Sequence, residues 1–122
     1  MQYPYFYDKV QTIPMQDALS DFLGAFEEGH VSFTYLDCVK YAGHSCPTVA
    51  GAYLMTLLGL QSLYPDTLPQ RGKIHVSMKN PKEEGVTGVM CNIISFIVGA
   101  SDQSGFKGIA GNFSRADLIH YN

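Results

Sequence analysis

The residues best suited to chemistry stand together in one short stretch, Gly43-His44-Ser45-Cys46-Pro47. An imidazole and a thiol two residues apart are the nitrogen and sulfur donors that tetrahedral zinc accepts. Proline suits the first turn of a helix, so Cys46 is expected at the N-cap, where unpaired backbone N–H groups and the helix dipole stabilise a thiolate. The pattern predicts that Cys46 is a metal ligand, a redox thiol or a nucleophile, with His44 as co-ligand or base. Packing is the alternative, because cysteine is among the most buried residue types.

Two further cysteines bear on this site. Cys91 lies near the start of a second predicted helix, and it would share one ion with His44 and Cys46 if the two helix N-termini converge. Simple burial in the core is the alternative for Cys91. We expect Cys38 to be a packed thiol, with the alternative that Cys38 or Asp37 completes a metal site. The absence of a Cys-x-x-Cys pair argues against a zinc knuckle or a thioredoxin-type redox motif.

Two helices must position these residues. The segment from Pro47 to Tyr64 is apolar nearly all round, with a narrow line of small residues, and this is typical of a buried central helix. The segment 87–98 is predicted as a second helix, with Thr87 as N-cap and Gly99 as the C-terminal stop.

The remaining segments predict further elements. Residues 15–29 have the apolar spacing of an amphipathic helix, whereas 30–39 and 71–79 alternate as half-buried strands do. The glycine-rich tail is expected to supply one or two short strands. The sequence therefore predicts a single α+β domain over residues 1–122, in which a mixed or antiparallel sheet packs against a long buried central helix and a second, shorter helix.

Composition excludes several functions. The formal net charge is −3 and the basic residues are scattered, which argues against a nucleic-acid partner. No apolar run approaches the length of a membrane span, and no glycine-rich phosphate loop is present. The first residues lack the pattern of a secretory signal, so we expect a cytoplasmic protein whose cysteines stay reduced.

The motif Gly43–Pro47 at the start of a long helix, together with the segment "NIISFIVGASDQSGFKG", resembles the core domain of the E-type formylmethanofuran dehydrogenase family. The resemblance covers roughly residues 30–110 and includes no C-terminal zinc finger. It implies an α+β core that often forms a homodimer, a metal, usually zinc, near the motif cysteine, and an oxidoreductase partner. Ala42, Thr48, Val89 and Asn92 stand where many members have histidine, glycine, cysteine and aspartate.

Three hypotheses follow. The first is a cytoplasmic metal-binding protein in which His44 and Cys46 hold zinc or another transition metal, with Cys91 as a weaker third ligand. The alternative is a non-metal homodimeric interaction or accessory protein whose small-residue helix faces pack against a partner. The third is a thiol-dependent enzyme with Cys46 as nucleophile and His44 as base. The sequence names no substrate or reaction.

Overall fold

The structure is a computed structural model and describes residues 2–122. It combines helices with short strands, and the predicted α+β class is confirmed. The helices are α1 Ala18–Phe22, α2 Tyr35–Ala42, α3 Pro47–Leu63 and α4 Thr87–Val98. The strands are β1 Ile13–Asp17, β2 His30–Phe33, β3 Gln70–Arg71, β4 Val76–Met78 and β5 Ile119–Tyr121. Single 3-10 turns occupy Tyr5–Lys9 and Glu27–Gly29.

The strands form two small sheets. In the first, β1 lies between β2, to which it is antiparallel, and β3, to which it is parallel. Ile13 and Met15 of β1 point into the core, while Pro14 is exposed. In the second sheet β4 and β5 run parallel. The three-stranded sheet is therefore mixed.

Helix α3 begins at Pro47, as predicted, and ends one residue before the predicted end. One face buries Val49, Tyr53, Leu57 and Leu60, and α4 packs against this helix. The opposite face is exposed, however, and Leu58 keeps 62% of its surface accessible. The prediction of a helix buried on all sides is wrong, because the rest of the chain covers only one of its faces.

Helix α4 occupies the predicted segment, and Gly99 ends it in the left-handed conformation, at φ 74°. The predicted N-cap is displaced by one residue: Val86 holds that position without a capping side chain, and Thr87 is the first helical residue. The C-terminal glycine was therefore the more accurate of the two boundary signals.

The predicted helix over 15–29 is wrong. Residues 15–17 belong to β1, and only Ala18–Phe22 is helical. Pairing with β2 and burial of alternate residues outweigh the helical spacing, which left Phe22 exposed instead of buried. Asp17 then caps α1 by accepting a hydrogen bond from the Ser20 N–H.

Two predicted strands are shorter than expected. Only His30–Phe33 of the segment 30–39 is a strand, because Thr34 and Asp37 form a reciprocal capping box that starts α2. The segment 71–79 contributes Arg71 to β3 and residues 76–78 to β4. The expected short strand in the tail is β5, and that prediction is confirmed.

None of the helices within residues 2–122 has the length and apolar character needed to cross a bilayer.

Candidate functional site

The turn between α2 and α3 presents His44 and Cys46. Helix α2 ends at Gly43, whose φ of 84° is accessible at low cost to glycine, and the chain then turns toward α3. Cys46 is the N-cap of α3, in extended conformation, with Pro47 in the first turn. The predicted position of Cys46 is confirmed, and its side chain is half-buried whereas His44 is exposed.

The thiol and the imidazole shift each other's protonation. The pKa of Cys46 lies below its ordinary value, chiefly because the Val49 backbone N–H stabilises the thiolate, with smaller contributions from the Thr48 N–H and from His44. The pKa of His44 is raised, first by its hydrogen bond to the Ala42 carbonyl and then by the Cys46 sulfur. The pair therefore favours a thiolate beside an imidazolium more than two isolated side chains would.

The orientation of the His44 ring is set by the backbone. Its Nδ1 lies 3.2 Å from the Ala42 carbonyl oxygen, which can only accept, so Nδ1 carries the hydrogen. In the neutral ring Nε2 is then the nitrogen with a free lone pair. A carbonyl that fixes the tautomer in this way is the usual outer partner of a histidine that ligates a metal.

Cys91 has different surroundings. It is the fifth residue of α4 instead of lying in its first turn, and it is fully buried. Its sulfur lies 3.6 Å from the Ser95 hydroxyl. Burial, followed by a hydrogen bond with Cys91, raises the pKa of Tyr121 to about 12. These contacts lie in the core between α4 and β5, and the role of Cys91 as a third ligand stays a prediction.

Cys38 is a packed thiol, as predicted. It has no accessible surface, and burial, reinforced by Asp37, raises its pKa to about 12. The Asp37 carboxylate accepts a hydrogen bond from the Thr34 N–H at 2.9 Å. Asp37 is therefore engaged in capping α2.

No group of three or more histidine, cysteine, aspartate or glutamate side chains in residues 2–122 is arranged to hold a metal ion. His44 and Cys46 thus form a two-donor set. Their donor chemistry fits a borderline ion such as zinc, with the other coordination positions open to water or to another molecule.

Sequence reasoning missed a buried ionic cluster that joins distant parts of the chain. Asp17 is 2% exposed and accepts hydrogen bonds from Arg71 at 3.0 Å and from Arg115 at 2.6 Å. Burial acts to raise the pKa of Asp17, but the Ser20 N–H and both guanidinium groups outweigh it and hold that pKa below its ordinary value. Residues 54 and 98 positions apart give no local signal of such a cluster.

The largest cavity among the described residues, about 540 Å³, adjoins this cluster. It lies beside α4 and the segment that follows it, and its wall includes Arg71, Arg115, Asn92 and Asp102. Tyr41 and Phe96 also line it, with their rings stacked 5.1 Å apart. This polar cavity was not indicated by any sequence motif.

Two histidines that look isolated in the sequence meet in the structure. His75 precedes β4 and His120 lies in β5, and their Nδ1 and Nε2 atoms are 3.3 Å apart on an exposed surface. The signal was present only in the pairing of β4 with β5, which the sequence did not predict. This pair is a second place where an added metal would find imidazole nitrogen.

The chain matches no protein-family model, no curated protein and no solved structure. The resemblance to the E-type formylmethanofuran dehydrogenase family stays a prediction drawn from the motif and the following segment. Functional reasoning therefore starts from the geometry of the site.

Proposed function

We propose that this protein binds zinc or another transition metal through the Cys46 sulfur and the His44 Nε2 atom. The observation that carries the proposal is the position of Cys46 at the N-terminus of α3, where the pKa of its thiol is lowered, beside an imidazole whose Nδ1 is held by the Ala42 carbonyl. Both donors are thereby prepared in the form that a metal requires, a thiolate and a ring nitrogen with a free lone pair.

Two protein ligands leave coordination positions available for a substrate, for water or for a ligand from a partner. Cys91 would complete a third position only by exchanging its contact with Ser95 for the ion. All three cysteines are free thiols, which is compatible with the reducing cytoplasm that we propose as the compartment. The oxidoreductase partner implied by the family resemblance belongs to the same proposal.

Metal analysis of the untagged chain tests the proposal. The measurement is made in a His75→Ala/His120→Ala background, because that imidazole pair would otherwise bind added Zn²⁺. We expect about one Zn²⁺ per chain, lost in Cys46→Ala and bound at least about tenfold more weakly in His44→Ala. His30→Ala removes an exposed imidazole on β2 and should change nothing. A chain that takes up no metal after reconstitution, or that keeps it in Cys46→Ala, would refute the proposal.

The exposed face of α3 favours a second candidate function, that of a homodimeric interaction protein. None of the 17 residues of α3 is charged, and Leu54, Met55, Leu58 and Leu63 are all exposed. No atom lies within 4 Å of the Cβ positions that side chains at Gly51 and Gly59 would occupy, so a helix from a second copy would have room to approach. An uncharged apolar surface of this kind commonly marks an interface.

The mass in solution tests this second function. A charge placed in the apolar face should dissociate a dimer, so we expect Leu58→Glu to be monomeric. Val89→Glu, on the exposed side of α4, is the matched control and should leave the mass unchanged. A monomeric parent protein at high concentration would contradict the interaction function, whereas a dimer that is insensitive to chelator and to Cys46→Ala would favour it over metal binding.

The opposite pKa shifts of Cys46 and His44 also favour the third hypothesis, a thiol-dependent enzyme. In that case the metal-free protein would be the active form, with the thiolate as nucleophile and the imidazolium as proton donor. Alkylation of Cys46 that abolishes metal uptake but leaves turnover unchanged would exclude the enzyme and leave the metal function.

A further inference from the structure

The cavity beside α4 contains neither His44 nor Cys46, and nothing in the proposed metal site accounts for it. Its volume of about 540 Å³ falls in the range of small-molecule sites. We propose that it binds a small molecule through a carboxylate or phosphate group, which Arg115 and Arg71 recognise.

The charges at the inner wall do not balance. Arg71 and Arg115 carry two positive charges, whereas Asp17, which both contact, carries one negative charge. The lowered pKa of Asp17 keeps that carboxylate ionised at neutral pH. One positive charge therefore remains for an anion, in a setting that is mostly shielded from water and where charge pairing is correspondingly stronger.

The two guanidinium groups have different tasks. Each of the three nitrogens of Arg71 donates a hydrogen bond, to Asp17 and to the carbonyl oxygens of Phe96 and Ile97, and this fixes the group against α4. Arg115 donates only through Nη2, to Asp17, among the residues that the structure describes. Its Nε and Nη1 groups therefore have hydrogen bonds left to give.

These two N–H groups of Arg115 are accessible from outside the protein. Within residues 2–122, every fully buried side-chain nitrogen or oxygen has a hydrogen-bond partner. The unpaired nitrogens of Arg115 must then border open space, and the large cavity is such a space. A planar guanidinium with adjacent free N–H groups is suited to bidentate binding of a carboxylate or phosphate.

The rest of the wall suits the body of an organic anion. Asn92 and Ser101 offer an amide and a hydroxyl, and the stacked rings of Tyr41 and Phe96 provide an apolar surface. Asp102 has the opposite effect on an anion. Its carboxylate accepts from the Ser104 hydroxyl and N–H, which lowers its pKa and keeps it charged.

Asp102 makes a sharp test possible, because its removal should strengthen binding. Inorganic phosphate and benzoate are titrated separately into the full chain at low ionic strength, by calorimetry and by amide NMR shifts. We expect Asp102→Asn to bind the anion about two- to fivefold more tightly, the range for loss of one exposed charge interaction. Asn92→Asp should weaken binding by a similar factor. Asp66→Asn makes the same charge change at an exposed residue after α3, outside the cavity wall, and should leave affinity unchanged.

Arg115→Lys keeps the charge and removes the planar fork, so it should weaken binding more than Asn92→Asp does. If that variant does not fold, the comparison of Asp102→Asn with Asp66→Asn decides alone. Binding of phosphate only or of benzoate only supports the proposal and identifies the anionic group. Binding of neither anion, or equal responses of Asp102→Asn and Asp66→Asn, overturns it.

Discussion

Removal of the Asp17 carboxylate should cost more stability than any other single charge deletion proposed for this chain. Asp17 is almost fully buried and accepts from Ser20, Arg71 and Arg115. Asp17→Ala leaves two guanidinium groups without their counter-charge, and deletion of one partner of a buried ion pair costs about 3 to 5 kcal/mol. Small domains have only about 5 to 15 kcal/mol of total stability, so the loss takes a large share.

Thermal and urea unfolding measure this loss. A domain of this length has an unfolding entropy of about 0.26 kcal/mol/K, so the melting temperature should fall by about 12 to 20 °C. Asp21→Asn changes an exposed acid one turn further along and should shift stability by less than about 0.5 kcal/mol. A loss below about 1 kcal/mol in Asp17→Ala would show that the cluster is not buried as the structure describes.

The pH dependence supplies a second check on the same residue. Because the pKa of Asp17 is lowered in the folded state, its contribution is fully present above the ordinary pKa of aspartate. The contribution is lost as the pH falls through the lowered value. The stability gap between the parent protein and Asp17→Asn should therefore be largest near neutral pH and shrink below about pH 4. A gap that is constant down to pH 2 would contradict the ionic role.

Three further predictions concern the cysteines and the glycines. In the metal-free protein, alkylation of Cys46 should have a pH midpoint below that of free cysteine, and His44→Ala should move it upward; an unshifted midpoint would argue against the helix N-cap effect. Cys38 should resist alkylation until the protein unfolds, because its buried thiol has a pKa near 12, and rapid labelling by mass spectrometry would contradict its burial. Gly99→Ala should destabilise by more than about 1 kcal/mol, since φ is 74° and a guanidinium nitrogen occupies the Cβ position, whereas Gly59→Ala in the exposed helix interior should stabilise by about 0.5 to 1 kcal/mol in urea titrations. Equal effects of the two glycine changes would refute that assignment.

Local signals in the sequence located the parts of the fold that local energies decide. Pro47 and Gly99 mark the start of α3 and the end of α4 because each restricts or permits a backbone angle in its own turn. The same reasoning put Cys46 at an N-cap. These features depend on neighbours within a few residues, which a sequence displays directly.

The parts that depend on distant partners were missed. Residues 15–17 have helical spacing, yet Met15 is buried as a strand residue because β2 pairs with it. Asp17 was interpreted as a solvated acid on a helix face, since the guanidinium groups that neutralise it come from far along the chain. The His75–His120 contact has the same origin, in the pairing of β4 with β5.

The Asp17 cluster also sets an order for folding during synthesis. Asp17 leaves the ribosome 98 residues before Arg115, its closest cationic partner. At ordinary elongation rates of about 5 to 20 residues per second, roughly 5 to 20 s pass before the carboxylate can be fully neutralised. Until then burial of β1 would enclose an undercompensated charge. The nascent chain should therefore keep β1 loosely docked and consolidate only when the residues around Arg115 have emerged.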